Sequence, residues 1–365
     1  MTRRGCLVVF IAIVAVLMAG YGTAWLASQD VRFLSRAGAE EFRILARRRP
    51  IDEVARDPRT PPERRAMLEL VLAARDHAAG LGLEAGETYR QFSDVGRDTL
   101  LLVLSASPRD CLCPHTWSYP IVGRVPYKGF FDLPQARKAA QEFDRRGYDS
   151  WLRPSGAFST LGWFEDPLLS TAVSRDSVEM VSTVMHEIAH NTLYVRSATP
   201  FNESFAQLVG YRAAEEFFRS RGDSLLAERA ANRWHDEIRL GAYYDSLATR
   251  LEQVYAAHPD SAALEAGRAE VARWAATEVE RLTPLMRATR LASAGPRVNN
   301  ARIIAARIYR TRLDLFEAWY VREGRDIRRG VAALRALTQG VEGERAFEVL
   351  ERALAERTPA TDAGG

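Results

Sequence analysis

The spacing of apolar residues along the chain predicts a mostly helical protein that begins with a membrane-length segment. An uncharged run from Gly5 to about Ala27 is long enough to cross a bilayer as one helix. Helical spacing follows from Phe33 to Gly80, where Thr60-Pro61-Pro62-Glu63 predicts a helix start in which Glu63 completes a capping box. After Ser177 almost the whole chain has helical spacing, with helices predicted over Ser224–Tyr255, Ser261–Leu282 and Asn300–Arg322.

Between these helical regions, shorter apolar runs predict a small sheet. Strands are expected at Thr99–Leu104, Ile121–Val125 and Ala157–Phe164, with a helix over Pro134–Gly147 between the last two. Few strands beside many helices indicate an α+β fold with a mostly helical body and a small mixed sheet.

A pair of histidines near the middle of the chain carries the clearest chemistry. In Val184-Met185-His186-Glu187-Ile188-Ala189-His190, the two histidines are four positions apart, so both rings lie on one helix face and can reach one metal ion. Glu187 lies between them, where it can take a proton from water that the metal activates. The apolar stripe of this helix accounts for its burial but does not explain the two imidazoles. The pattern favours a zinc hydrolase with one ion.

A third ligand is expected on the next helix. A further histidine spaced after the second one is excluded, because Leu193 and Arg196 occupy those places. We expect the first helix to run to about Val195 and the chain to reverse before Pro200, with Thr199 or Asn202 capping the second helix. Glu203 then comes level with His190, and the small Ala206 lets the helices approach.

Several other segments carry a family resemblance. The metal motifs resemble a family of bacterial proteins described as predicted aminopeptidases, as do Pro120–Gly123, Tyr127–Phe131, Ser159–Pro167 and Asn299–Arg302, and the resemblance extends to about Leu337. That family is similar to thermolysin-like zinc peptidases. The resemblance implies His186, His190 and Glu203 as zinc ligands and Glu187 as general base.

The resemblance also suggests where a peptide would bind. Thermolysin-like enzymes hold the substrate along an edge strand, for which Ser159–Phe164, including Gly162 and Trp163, is the candidate. Glu165 and Asp166 follow at once and would hold the free amine of a peptide, although acids before a proline also fit a simple turn. Tyr309 is the first candidate for stabilising the oxyanion, with Tyr211 and His235 as alternatives.

The N-terminus predicts the location of the protein. Arg3 and Arg4 should stay in the cytoplasm, which places the rest of the chain on the periplasmic or outer side of the inner membrane as a single-pass protein. A signal sequence cut near Ala24 would instead release it, but the length of the segment favours an uncleaved anchor. Relatives often end this leader with a lipoprotein cysteine. Tyr21 stands there instead, so acyl anchoring is not expected.

Composition excludes other classes of protein. A net charge of +3 over 365 residues is too small to indicate nucleic acid binding. Three cysteines are too few for a framework of disulfides, and Cys111, Cys113 and His115 are weak as a second metal site, so a loop with free or locally bridged thiols is favoured.

Together these observations predict a domain plan and a function. Residues 1–28 form the anchor or signal sequence, and residues 29–357 form one zinc aminopeptidase-like domain with its sheet at about 95–165, zinc helices at 177–220 and C-terminal helices at 224–355. Residues 358–365 form a disordered tail. The predicted function is hydrolysis of peptide bonds, with a peptide substrate and the membrane as partners. The alternatives are a zinc hydrolase of another amide or ester, or a membrane-tethered binding protein with an inactive metal site.

Overall fold

The computed structural model describes residues 3–119, 123–155, 167–257, 260–291 and 297–356. Helices predominate, and small sheets lie beside them, so the fold is α+β as the sequence predicts. The helices are α1 (Arg3–Ala27), α2 (Gln29–Ala46), α3 (Ile51–Arg56), α4 (Pro62–Gly80), α5 (Leu133–Arg145), α6 (Ser177–Thr192), α7 (Thr199–Ser220), α8 (Ser224–Ala256), α9 (Ser261–Leu282), α10 (Asn300–Ile308), α11 (Leu313–Arg322), α12 (Ile327–Leu337) and α13 (Arg345–Ala355).

The strands form three small sheets within the described residues. They are β1 (Arg49–Pro50), β2 (Gln91–Ser93), β3 (Leu101–Pro108), β4 (Trp117–Tyr119), β5 (Gly123–Val125), β6 (Lys128–Phe130), β7 (Tyr148–Ser155) and β8 (Leu168–Leu169). The order β6-β3-β7 is antiparallel, β4 and β5 pair with each other, and β1-β2-β8 is mixed because β2 runs antiparallel to β1 and parallel to β8.

Strand β7 is the largest difference between the sequence prediction and the sheet. The predicted strand Ala157–Phe164 lies outside the described residues, whereas the eight residues of β7 just before it pair with β3. Its pattern was not seen as a strand because Asp149 is buried in a polar contact and Pro154 interrupts the alternation. A strand whose inward face carries charge does not show the apolar period on which the prediction depends.

Two predicted helices have the expected bounds but differ in detail. Helix α4 has no side-chain cap, and the Thr60 hydroxyl instead donates to the Val54 carbonyl, so Glu63 completes no capping box. The predicted helix Asn300–Arg322 is two helices, α10 and α11, separated by a break in which Arg312 adopts a left-handed φ of 52°. Periodicity continues across this break, which is why the sequence did not reveal it.

The N-terminal helix stands apart from the body. The segment Phe10–Ala27 of α1 is apolar and long enough to cross a membrane, none of it is buried, and a signal sequence would have the same properties. Helix α2 is capped by Ser28 and packs on the body, where the ring of Phe33 stacks on that of Phe131 at 5.8 Å between centroids.

The main core surrounds helices α6 and α7. Helix α4 packs mainly on α6, while α8 and the C-terminal helices α11 to α13 pack on α7. Phe201 of α7 contacts Phe316 of α11 and Phe347 of α13, with ring centroids 5.1 and 5.2 Å apart. The C-terminal helices are therefore part of the same core as the metal-motif helix.

A buried polar network joins the β6-β3-β7 sheet to the helices. Arg268 of α9 donates to Asp149 Oδ2 of β7 at 2.6 Å and to the hydroxyl of Tyr255 at 2.7 Å. Asn300 accepts from Tyr255 at 2.9 Å and donates from Nδ2 to the carbonyls of Pro108 and Cys111, both at 2.9 Å. Because the side chains of Asp149, Tyr255, Arg268 and Asn300 are all nearly fully buried, the network fixes the position of α10 on the sheet.

The cysteine loop is part of this structural arrangement. Cys111 and Cys113 are joined by a disulfide, and the Ser107 hydroxyl lies within hydrogen-bonding distance of both of their carbonyls, at 3.1 and 2.9 Å. His115 packs instead among Trp117, Phe143 and Tyr148. Among the described residues, these groups form no metal cluster.

Replacing Asn300 by Ala should destabilise the fold by roughly 2–4 kcal/mol, because several buried donors and acceptors lose their partner at once. Chemical denaturation of Asn300→Ala would measure the change. Gln253→Ala, which removes an exposed amide from α8, is the matched control. Equal stability of both variants would show that the network contributes nothing.

Candidate metal centre

Helix α6 presents the two histidines from a firmly held position. Its N-cap, Asp176, accepts from the backbone N–H groups of Val178 and Glu179 and forms ion pairs with Arg229 and Arg233 of α8. The apolar stripe expected from the sequence is buried, since Val181, Val184, Met185, Ile188 and Ala189 are all fully covered. The opposite face of α6 therefore directs His186 and His190 away from the core.

The turn between α6 and α7 differs in detail from the prediction. Helix α6 ends at Thr192 rather than Val195, and α7 begins at Thr199 after Ala198, with no side-chain cap from Thr199 or Asn202. The Asn202 side chain instead accepts from the Val195 N–H and donates to the Val195 carbonyl, both at 2.8 Å. The Asn202 side-chain amide therefore closes the turn with two hydrogen bonds to Val195, as a backbone amide in a paired strand would.

The hairpin brings three candidate ligands together. His186 Nε2 and His190 Nε2 lie 3.2 Å apart, and Glu203 Oε2 lies 3.3 Å from the first and 3.7 Å from the second. The buried Glu203 Oε2 nonetheless makes no hydrogen bond with the described residues. Among those residues, His186, His190 and Glu203 are the group of histidines, cysteines and acids that can hold a metal ion.

These separations fit a tetrahedral ion. Zinc bonds of about 2.0–2.2 Å at tetrahedral angles place neighbouring ligand atoms roughly 3.3–3.6 Å apart, close to the three separations in this group. Two imidazoles and a carboxylate are also a donor set that zinc uses in catalytic sites. The side chains of His186, His190 and Glu203 remain 13%, 25% and 18% exposed, so a ligand from solvent can reach the point on which they converge.

The electrostatics of the triad favour a cation. Burial alone would raise the pKa of the Glu203 carboxyl, but the two adjacent imidazoles outweigh it and hold that pKa at about 2. Burial lowers the pKa of His190, and the carboxylates of Glu203 and Glu187 more than offset this, so the pKa is raised above its ordinary value. An ionised carboxylate beside two imidazoles is a set of groups that a metal ion can bind, with release of any proton on the imidazoles.

Glu187 and Tyr309 lie beside the triad. Glu187 is partly exposed and has no hydrogen bond or ion pair with the described residues, so its carboxylate is available to a bound molecule. The Tyr309 ring lies 6.5 Å from the His186 ring, centroid to centroid, and is 38% exposed. Burial and the nearby charge of Glu203 raise the pKa of Tyr309, so its hydroxyl remains a hydrogen-bond donor at neutral pH.

The break between α10 and α11 places Tyr309 at this position. The Ser204 hydroxyl, next to Glu203 in the chain, donates to the Thr311 carbonyl at 2.8 Å. A side chain at Gly241 would come within 2.9 Å of the Arg310 carbonyl, so α8 also lies directly against this turn. Ser204 and Gly241 were missed by the sequence reasoning, because a serine and a glycine within helices carry no signal of a distant turn.

The remaining predicted residues do not join this group. Gly162, Trp163, Glu165 and Asp166 lie outside the described residues, as does the predicted edge strand that contains them. Tyr211 is close to Glu237, Arg233 and Arg310, and His235 is close to Arg212 and Glu317. Neither alternative to Tyr309 has a described contact with the triad.

Gly210 lies where α7 packs closely on α6. A Cβ atom at Gly210 would lie 2.9 Å from the Ser182 carbonyl and 3.4 Å from the His186 Cβ. The buried Ala206 lies one turn before it, as predicted, but Gly210 is the residue at which even one methyl group does not fit. We expect the distance from His186 to Glu203 to depend on this contact.

Replacing Gly210 by Ala should therefore cost roughly 1–3 kcal/mol of stability, since a backbone carbonyl must move, and should weaken metal binding. Denaturation and metal titration would measure the two effects. Gly38→Ala is the matched control, because Gly38 is also helical and its added Cβ would meet no atom within 4 Å. If Gly210→Ala bound metal as tightly as the unaltered protein, the close approach would not determine the site.

Comparison with known proteins assigns the chain to one family. The curated proteins and the solved structures gave no significant match. Residues 32–349 match the sequence model of a family described as "Putative aminopeptidase". This match covers most of the chain, including the candidate ligands and Tyr309. The chain therefore belongs to the family that carries that description.

Proposed function

We propose that this protein is a zinc-dependent aminopeptidase that hydrolyses the N-terminal peptide bond of peptides. The observation that carries the proposal is the convergence of His186, His190 and Glu203, with Glu187 beside them and one side of the group open to solvent. Family membership supports peptidase activity independently of this geometry.

Different residues of the chain would hold the metal ion and transfer the proton during hydrolysis. When bound, zinc would supply Lewis acidity, which acidifies water and polarises a carbonyl group. His186, His190 and Glu203 would hold the ion. Glu187 takes a proton from the attacking water and then passes it to the leaving amine.

Tyr309 would donate a hydrogen bond to the oxygen that becomes negative in the transition state. Its raised pKa keeps the hydroxyl protonated, and its ring lies against that of His186. A donor held in place by the Ser204–Thr311 hydrogen bond does not need to reorganise as charge develops.

Restriction to an N-terminal residue requires a group that binds the free amine. Glu165 and Asp166 remain the proposed amine-binding acids, because they stand shortly before α6 in the chain. The substrate would pair along the strand region that contains Gly162 and Trp163. Main-chain pairing supplies affinity without demanding a particular side chain.

We also propose that α1 anchors the enzyme in the inner membrane with the body on the periplasmic side. The apolar, exposed segment Phe10–Ala27 and the preceding Arg3 and Arg4 support this arrangement.

Changing Glu187 to Gln should leave zinc bound at one ion per chain but lower kcat by about 100- to 10,000-fold, because the ligands remain and the base is lost. Metal analysis and release of amino acids from unblocked peptides would test this. Glu179→Gln, an exposed position on the same helix, should hydrolyse normally. Full activity of Glu187→Gln would rule out the mechanism, and chelation that leaves the unaltered enzyme active would rule out the metal.

Changing Tyr309 to Phe should lower kcat by about a hundredfold with little change in KM, since the hydroxyl acts mainly on the developing charge. Steady-state kinetics would separate the two constants. Tyr194→Phe, which alters an exposed tyrosine just after α6, serves as control. An unchanged kcat in Tyr309→Phe would assign the ring a packing role only.

A further inference from the structure

Arg153 lies on the side of β7 that faces the metal centre. In a strand, alternate side chains share a face, so Asp149, Trp151 and Arg153 point the same way. Asp149 contacts Arg268 of α9, which identifies this face as the one toward the helical body. Arg153 is therefore directed to the same side of the sheet as α10 and Tyr309.

The common starting point of α10 and β7 and their similar lengths are consistent with Arg153 lying near Tyr309. Both elements start from one point, where the Asn300 N–H donates to Asp149 Oδ2 at 2.8 Å and the Asn299 side chain donates to the Ser150 carbonyl at 2.8 Å. Helix α10 packs on β7 and on the neighbouring β3. Its nine residues rise by roughly 14 Å to Tyr309. Asp149 to Arg153 covers roughly 13 Å of extended strand.

The charge of Arg153 acts on the site. Arg153 lies near enough to Tyr309 for its charge to act on that hydroxyl, as do the carboxylates of Glu203 and Glu187. The guanidinium lies over the Trp151 ring at 5.6 Å, which orients it, and Arg153 is only partly exposed. Among the described residues, no carboxylate lies within ion-pair distance of it. A held, partly desolvated cation of this kind is available to an anion from outside the chain.

From this arrangement we propose that Arg153 is a specificity residue that binds a carboxylate of the substrate beside the scissile bond. This inference rests on the proposed peptidase function and adds the class of substrate. The carboxylate is either the free C-terminus of a short peptide or an acidic side chain next to the cleaved bond. Without Arg153, Glu187 and Glu203 would repel such a group. With it, short acidic or C-terminally free peptides become the preferred substrates.

Binding to the zinc-loaded Glu187→Gln protein provides a test that does not depend on turnover. The probes are an unblocked neutral tripeptide, its C-terminal amide, and an otherwise identical amidated pair that carries Glu or Gln after the scissile bond. Calorimetric titration should show at least tenfold tighter binding of one carboxylate-bearing peptide than of its neutral partner. Whichever pair shows the preference identifies the source of the carboxylate.

The preference should disappear when Arg153→Gln is added and should partly return with Arg153→Lys, which keeps the charge but loses the planar fork. The control variant Arg137→Gln changes an exposed residue on α5 and lowers the net charge equally, so the preference for the carboxylate-bearing peptide should remain. Thermal unfolding of each variant checks that the fold is intact. No preference in the Arg153-containing protein, or a preference that survives Arg153→Gln, would overturn the assignment.

Kinetics on the same peptides separate this inference from the proposed function. Removing Arg153 from the active enzyme should raise KM at least tenfold for the carboxylate-bearing peptide and leave the neutral one unchanged. An active enzyme that treats both peptides alike contradicts the role of Arg153 only. An enzyme that hydrolyses none of these peptides contradicts the proposed function, while the binding titrations still decide whether Arg153 holds a carboxylate.

Discussion

The candidate metal centre depends on how closely helices α6 and α7 approach. His186 and His190 come from α6 and Glu203 from α7, and their candidate ligand atoms lie within 3.7 Å of one another where Gly210 lets α7 pack closely on α6. The Asn202 amide fixes the turn that joins the helices. Helix α6 alone can present the two histidines on one face. The hairpin of α6 and α7 adds the third candidate ligand, Glu203.

A second level of organisation positions residues that are not ligands. The Asp149–Arg268–Asn300 network ties the sheet to α9 and α10, and the Ser204–Thr311 hydrogen bond ties the end of α10 to α7. Tyr309 and Arg153 therefore belong to a frame that is connected to the metal ligands through buried polar contacts. Such contacts are costly to break one at a time, so the frame should move as a unit.

Many of the helices and the candidate metal ligands could be predicted from the sequence because the residue patterns that indicate them are local. The His186–His190 spacing and the apolar stripe of α6 need only one helix, and Ser261–Leu282 was predicted with its observed ends. Glu203 could be placed because a hairpin of known rise brings it level with His190. Cooperative, long-range contacts gave no such signal. Nothing near Ser204 or Gly210 in the chain indicates Thr311 or Ser182, and the buried charge of Asp149 concealed β7.

The aromatic contacts between α7 and the last helices have a consequence for how the protein is made. Phe201 is covered by Phe316 and Phe347, which are synthesised more than a hundred residues later. Until those residues are synthesised, the α6–α7 hairpin that bears the candidate ligands exposes apolar side chains and lacks the helices on which it packs. Nascent chains that stop short of α13 are thus exposed to aggregation and to quality-control proteases. Assembly of the candidate ligand group must therefore await synthesis of the C-terminal helices.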